Sequence, residues 1–208
     1  MSSWNIIGIV AWVIVLVWVI FIVMNIRKRH LKMIIKDHKR FTWQNLILDI
    51  VEVAVFVVIT LGMTYVTFFR LPDLKDNNEV KITYNYKPLV LQTNGVQGYF
   101  VKVQNGNGKR PIQYYTYWTQ GARYEISSKH AGIVTASDPL ATPGGSLPWP
   151  KAKVKKVDQE MQHAFVAHLS AKYQPNFLNG LGLRVGHHAY SYFLIRVPSD
   201  TFVDTTND

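Results

Sequence analysis

Ile6–Met24 (IIGIVAWVIVLVWVIFIVM) runs for nineteen residues without a formal charge, and Leu46–Phe69 (LILDIVEVAVFVVITLGMTYVTFF) is a second apolar run broken only by Asp49 and Glu52. As helices rising about 1.5 Å per residue, both are long enough to cross a hydrocarbon core of roughly 30 Å. Neither carries the polar stripe that a helix packed on a soluble core presents to water. The expected architecture is therefore a membrane α-helical hairpin. Residues 1–26 form a short tail and first helix, 27–45 a basic loop, 46–69 the second helix, and 70–208 a separate domain.

Charge sets the expected orientation. The flank Met1-Ser2-Ser3-Trp4-Asn5 has no basic residue, and no small-residue cleavage site follows the first run, so a cleavable signal peptide is not expected. The cations come after it: Arg27, Lys28, Arg29, Lys32, Lys36, Lys39 and Arg40, against the single acid Asp37. Short loops rich in Lys and Arg stay cytoplasmic, so at the plasma membrane both the N-terminus and the domain are expected outside, with 27–45 in the cytoplasm. The seven cations are candidate contacts for anionic lipid, at about 1 kcal/mol each.

The overall charge of +10 divides between this loop (+6), the second helix (−2) and the chain from Arg70 onward (+6). A basic exported domain suits anionic partners such as wall polymers. Nothing in the pattern points to nucleic acid. With no cysteine, disulfides, thiol catalysis and cysteine metal sites are excluded, and 139 residues can bury enough surface to fold without staples.

Within the domain, Val80, Ile82, Tyr84 and Tyr86 alternate with Lys81, Thr83, Asn85 and Lys87 as the two faces of a strand. Further strands are expected at Leu89–Thr93 and around Tyr99–Gln104, then over Ile112–Thr119, Ala122–Ser127 and Gly132–Ala136. Asn105-Gly106-Asn107-Gly108 serves as a hairpin turn. Ser137–Lys151, with four prolines and a Gly-Gly pair, reads as an irregular loop. The spacing of Val157, Met161, Ala164, Phe165, His168 and Leu169 predicts an amphipathic helix stopped by Pro175, with Asp158 and Glu160 in its first turn. A strand over Ala189–Val197 closes an α+β domain with a mainly antiparallel sheet.

Candidate chemistry is sparse. Asp49 and Glu52 lie three apart on one helix face and suit contact with a partner helix, or with cations at the membrane boundary. His163 and His168 are five apart, unlike the i, i+4 pair of a zinc helix, and no acid completes a metal set. No serine stands in a nucleophile elbow or an S-x-x-K context. No cofactor is implied. The candidate ligand or partner residues are Tyr115, Tyr117, Trp118 and Lys102 in the strands, and His187, His188, Tyr190 and Arg196 in the late segment. Aromatic faces beside cations suit sugars or a protein surface. The layout resembles that of small two-pass envelope proteins, largely uncharacterised, of Gram-positive lactic acid bacteria. That resemblance implies location and no activity.

The expected function is accordingly a membrane-anchored envelope protein binding a partner protein or an anionic wall polymer. The alternatives are an accessory subunit of a membrane complex, or an extracytoplasmic enzyme on lipid-linked or wall substrates.

Overall fold

A computed structural model describes residues 2–36, 41–106 and 112–205. The chain divides into two compact units, Met1–Asp73 with Tyr173–His187, and Leu74–Lys172 with His188–Asp208.

The first unit contains two helices long and apolar enough to span a membrane. They are α1 (Asn5–Lys36) and α2 (Trp43–Thr64), the latter prolonged by a π-helical turn over Tyr65–Phe69. The seam of α1 falls at Val15, Ile22 and Arg29, seven residues apart. Half-buried Asp49, Glu52, Phe56, Thr60, Met63 and Thr67 form the facing row on α2. Such three-and-four spacing keeps one stripe of each helix on its neighbour, as in coiled coils. Trp18 meets Phe56 edge-on at 6.1 Å, and the Trp12 indole donates to Thr67 Oγ1 at 3.4 Å. Most other Ile, Val, Leu and Phe side chains of the pair are exposed. α1 does not stop near residue 26 but continues to Lys36, so Arg27, Lys28, Arg29, Lys32 and Lys36 sit on helix and not in a loop. Lys39 and Arg40 lie outside the described residues.

The second unit is sheet-rich, with mixed and antiparallel strands. Its strands are β1 (Val80–Pro88), β2 (Gln92–Thr93), β3 (Gly98–Tyr99), β4 (Val101–Asn105), β5 (Gln113–Thr119), β6 (Ala122–Ser127) and β7 (Ala131–Val134). After helix α3 (Lys151–Glu160) come β8 (Phe165–Tyr173), β9 (His188–Arg196) and β10 (Val203–Asp204). One sheet has the order β1-β8-β9-β7, a second β10-β4-β5-β6, and β2 pairs with β3. The centre of the first sheet is buried on both faces, while edge strand β1 keeps one face exposed. On one side Phe165, Ala167, Leu169 and Leu194 pack against Val154 and Val157 of α3 and against Trp149. On the other, Val166, Ile195 and Val197 meet Val101 and Tyr117 of the second sheet.

The expected late helix is corrected, and the mainly antiparallel pairing is found with two parallel pairs added. Helix α3 ends at Glu160, and Phe165–Tyr173 is strand β8, so Asp158 and Glu160 close the helix where an opening turn was expected. Gln162 and His163 take φ of 49° and 62°, left-handed values that end the helix without a glycine. The periodicity misleads because β8 is buried on both faces, which erases the alternation that marks a half-exposed strand. β7 also pairs with β9 in parallel, and β10 with β4 likewise, so the sheets are mixed. The expected strand Leu89–Thr93 shrinks to Gln92–Thr93, with Leu89 only bridging to Thr119, while the other expected strands lie within a residue or two of their predicted places; the turn at residues 105–108 lies partly outside the described residues.

Candidate functional site

Three adjoining cavities follow β9. The first, about 190 Å³, lies between the two sheets and is lined by Asn85 and Lys87 of β1, Tyr117 and Thr119 of β5, Tyr124 of β6, Val166 and His168 of β8, and Phe193. Phe193 also lines the second, of about 500 Å³, together with Glu125, Ser127, His130, His188, Tyr190 and Ser191. Tyr190 in turn lines the third, of about 300 Å³, with Ser128, Lys129, Ser146 and Tyr192. The three thus form a row in which Phe193 is common to the first and second cavities and Tyr190 to the second and third.

Strand alternation explains the first cavity. Tyr117 and Tyr124 are direct cross-strand partners and stack at 5.5 Å and 17°. Lys87 places its Nζ 3.3 Å from the Tyr124 hydroxyl and 5.3 Å from the ring centroid. His168 stacks on Phe193 at 4.1 Å, and its Nε2 is 2.8 Å from Ser191 Oγ. Burial lowers the His168 pKa, and the neighbouring His188 and Lys87 lower it further. Burial also raises the Tyr117 phenol, with Tyr124 adding to the shift, so it stays a neutral hydroxyl. Thr119 Oγ1 is buried without a hydrogen-bond partner, an expensive state unless something reaches it.

The sequence candidates separate in space. Tyr117, His188 and Tyr190 line the groove. Tyr115 is half-buried against the core, its hydroxyl 3.3 Å from Gln113 Oε1, and burial raises its pKa. Trp118 lies on the other face of β5, edge-on to Tyr99 at 5.9 Å with the Arg123 guanidinium 5.7 Å away. Lys102 stands on β4 in register with Thr116 and Asp204. His187 belongs to the helical unit, one residue before β9 begins. Arg196 is buried: its Nε donates to Asp158 Oδ1 at 2.9 Å, and its Nη1 donates to the carbonyls of Val134 and Val197. Asp158 also accepts His163 Nδ1 at 2.8 Å, beside a separate polar cavity that includes Ser137 and Lys155. With one oxygen committed to Arg196, that carboxylate pins α3 to β9.

In the helical unit, Arg29 pairs with both Asp49, at 2.8 Å, and Glu52, while Asn25 donates to Glu52 at 3.1 Å. Both acids thus find partners within the hairpin itself. The groove residues missed by the sequence reading are Lys87, Tyr124, His168 and Phe193. Their convergence depends on sheet stacking, which no local pattern encodes. Among the described residues, no group of three His, Cys, Asp or Glu is placed to hold a metal ion.

A protein-family model matches residues 3–204 of the chain, and that family is named after a Lactobacillus locus tag. The chain belongs to this family. Comparison with curated proteins and with solved structures gave no match. Family membership covers both units together and brings no residue roles with it, so function rests on the groove.

Proposed function

We propose that the protein is a membrane-anchored cell-envelope protein whose domain binds an anionic wall polymer along the β9 groove. The observation that carries this is the row of cavities joined by Phe193 and Tyr190, with aromatic faces in the walls and Lys87, Lys129, His130 and His188 along it. Aromatic rings receive sugar or polyol faces, cations receive phosphate or carboxylate, and contiguous cavities suit a repeating chain better than a single small ligand. The basic segment 27–40 supports an orientation with that segment cytoplasmic and the domain outside.

The test is retention of full-length protein in nanodiscs by an immobilised glycerol-phosphate polymer, against an uncharged glycan of similar length. Wild type should bind the anionic polymer and weaken with salt. Y124A combined with K87A should lose about tenfold or more, equivalent to roughly 1.4 kcal/mol. No retention, or retention indifferent to both changes, refutes the polymer reading; a protein co-purifying through the same residues favours a partner protein instead.

A second reading, an enzyme on wall or lipid-linked substrates, is favoured by one observation: Glu125, His130, His188 and Tyr190 share a cavity. Hydrolysis of the polymer by wild type, lost in E125Q, would establish it. The third, an accessory subunit held through Asp49 and Glu52, is less supported because Arg29 and Asn25 already engage those acids.

A further inference from the structure

The apolar surface of the helices continues beyond the helices themselves. Tyr65, Phe68, Phe69 and Leu71 are exposed where α2 ends, and Trp4 is exposed where α1 begins. In the same unit, the segment Tyr173–His187 carries a short helix, α4 (Phe177–Leu181), whose Phe177 and Leu178 are 59% and 47% exposed.

This segment is fastened to both helix ends by backbone-level contacts. A Cβ at Gly8 would lie 2.6 Å from the Gly180 carbonyl oxygen, and one at Gly180 would lie 2.5 Å from that of Trp4, so the two glycines permit direct apposition. Asn5 donates through Nδ2 to Val185 O at 3.2 Å and accepts from Val185 N at 3.1 Å. Arg184 donates to Thr67 O at 2.9 Å and to Arg70 O, while its Nη1 also reaches Tyr173 Oη at 3.0 Å. The Thr67 and Arg70 carbonyls at the end of the second span are therefore satisfied by protein, the condition for backbone at a depth where water is scarce.

We infer that Tyr173–His187 is a third membrane-contact element, with α4 lying in the interfacial layer and Phe177 and Leu178 inserted among acyl chains. The occupant of this surface is the lipid bilayer, because it continues the lipid-facing surface of α1 and α2. Length supplies an independent argument. Twenty residues separate Asn5 from Asn25, and twenty separate Phe69 from Asp49. At 1.5 Å per residue each interval is about 30 Å, the thickness of a hydrocarbon core. Setting α4 at one boundary therefore brings the Asn25–Arg29–Asp49–Glu52 cluster to the other, where its charges meet water and head groups. Bulky aromatics flanking the α4 end match the interfacial belt of membrane proteins.

The inference rests on the two helices spanning a bilayer, and the experiment separates the two. The chain has no cysteine, so single cysteines at Leu178, Val55 and Lys81 can carry spin labels in full-length protein in phosphatidylcholine–phosphatidylglycerol vesicles. Collisions with oxygen report lipid and collisions with a water-soluble nickel chelate report solvent. The Leu178 label should favour oxygen over nickel several-fold, as Val55 does, while Lys81 shows the reverse. A nickel-accessible Leu178 beside a lipid-exposed Val55 overturns the inference alone. A nickel-accessible Val55 overturns the membrane-spanning reading and the inference with it. Photolabelling of unmodified protein by a diazirine lipid guards against perturbation by the label. Adducts on the Phe177–Leu178 peptide support the contact, and adducts confined to α1 and α2 refute it.

Discussion

Arg196 and Asp158 give the most quantitative test of how the domain is held together. Their side chains are 3% and 7% exposed, and their oppositely charged atoms are 2.9 Å apart. Arg196→Met leaves a buried carboxylate facing only His163, while Asp158→Asn leaves a buried guanidinium. Breaking a buried pair from one side costs about 3–5 kcal/mol because the surviving charge is uncompensated. Removing both charges, as in D158L/R196M, is expected to cost less than either single change, since desolvation of two ions offsets most of their attraction. The readout is amide exchange in α3 and β9 peptides of full-length protein. At 1.4 kcal/mol per decade, each single variant should raise local opening by roughly a hundred- to several-thousand-fold. The reasoning fails if the double variant is as unstable as the sum of the singles, or if either single costs under about 1 kcal/mol.

Three further outcomes are expected. His168 has a lowered pKa in the fold, so below its ordinary value of about 6.5 the unfolded chain binds the extra proton; stability then falls with falling pH, and H168Q should flatten the thermal-melting profile between about pH 5 and 7. G180A forces a Cβ against the Trp4 carbonyl at 2.5 Å and should cost about 1–3 kcal/mol, seen as faster proteolysis within 173–187 while β8 and β9 keep their amide protection. A cysteine at Ser3 or Ser128 should react with a membrane-impermeant thiol reagent in intact cells and one at His38 should not; the opposite pattern would place the domain in the cytoplasm.

The two long apolar helices were legible because their signal is local and long: nineteen uncharged residues in a row leave little room for any other element. The strands with one exposed face were equally legible, as Val80, Ile82, Tyr84 and Tyr86 turn inward while Lys81, Thr83, Asn85 and Lys87 stay exposed. β8 was misread because Phe165, His168 and Leu169 also satisfy helical spacing, and only sheet pairing on both edges decides between the two. The groove was half legible. Tyr117, His188 and Tyr190 stood out by residue type, but Lys87, Tyr124 and Phe193 become neighbours through pairings far apart in sequence. The need for glycine at 180 was not legible, because the atom that a Cβ there would strike is the carbonyl oxygen of Trp4, remote in sequence.

The fastening of Tyr173–His187 to the helices also sets a timetable for biosynthesis. Arg29 and Glu52 are 23 residues apart, so that end of the hairpin can be knitted as soon as the second span emerges. Arg184 reaches Arg70 across 114 residues and Asn5 reaches Val185 across 180, so the other end waits for almost the whole chain. At roughly 5–20 residues per second, that delay is on the order of ten seconds, during which the second span has bare terminal carbonyls. A nascent chain stalled anywhere between residues 70 and 184 therefore has its Arg29–Glu52 end joined and its Arg184 end open.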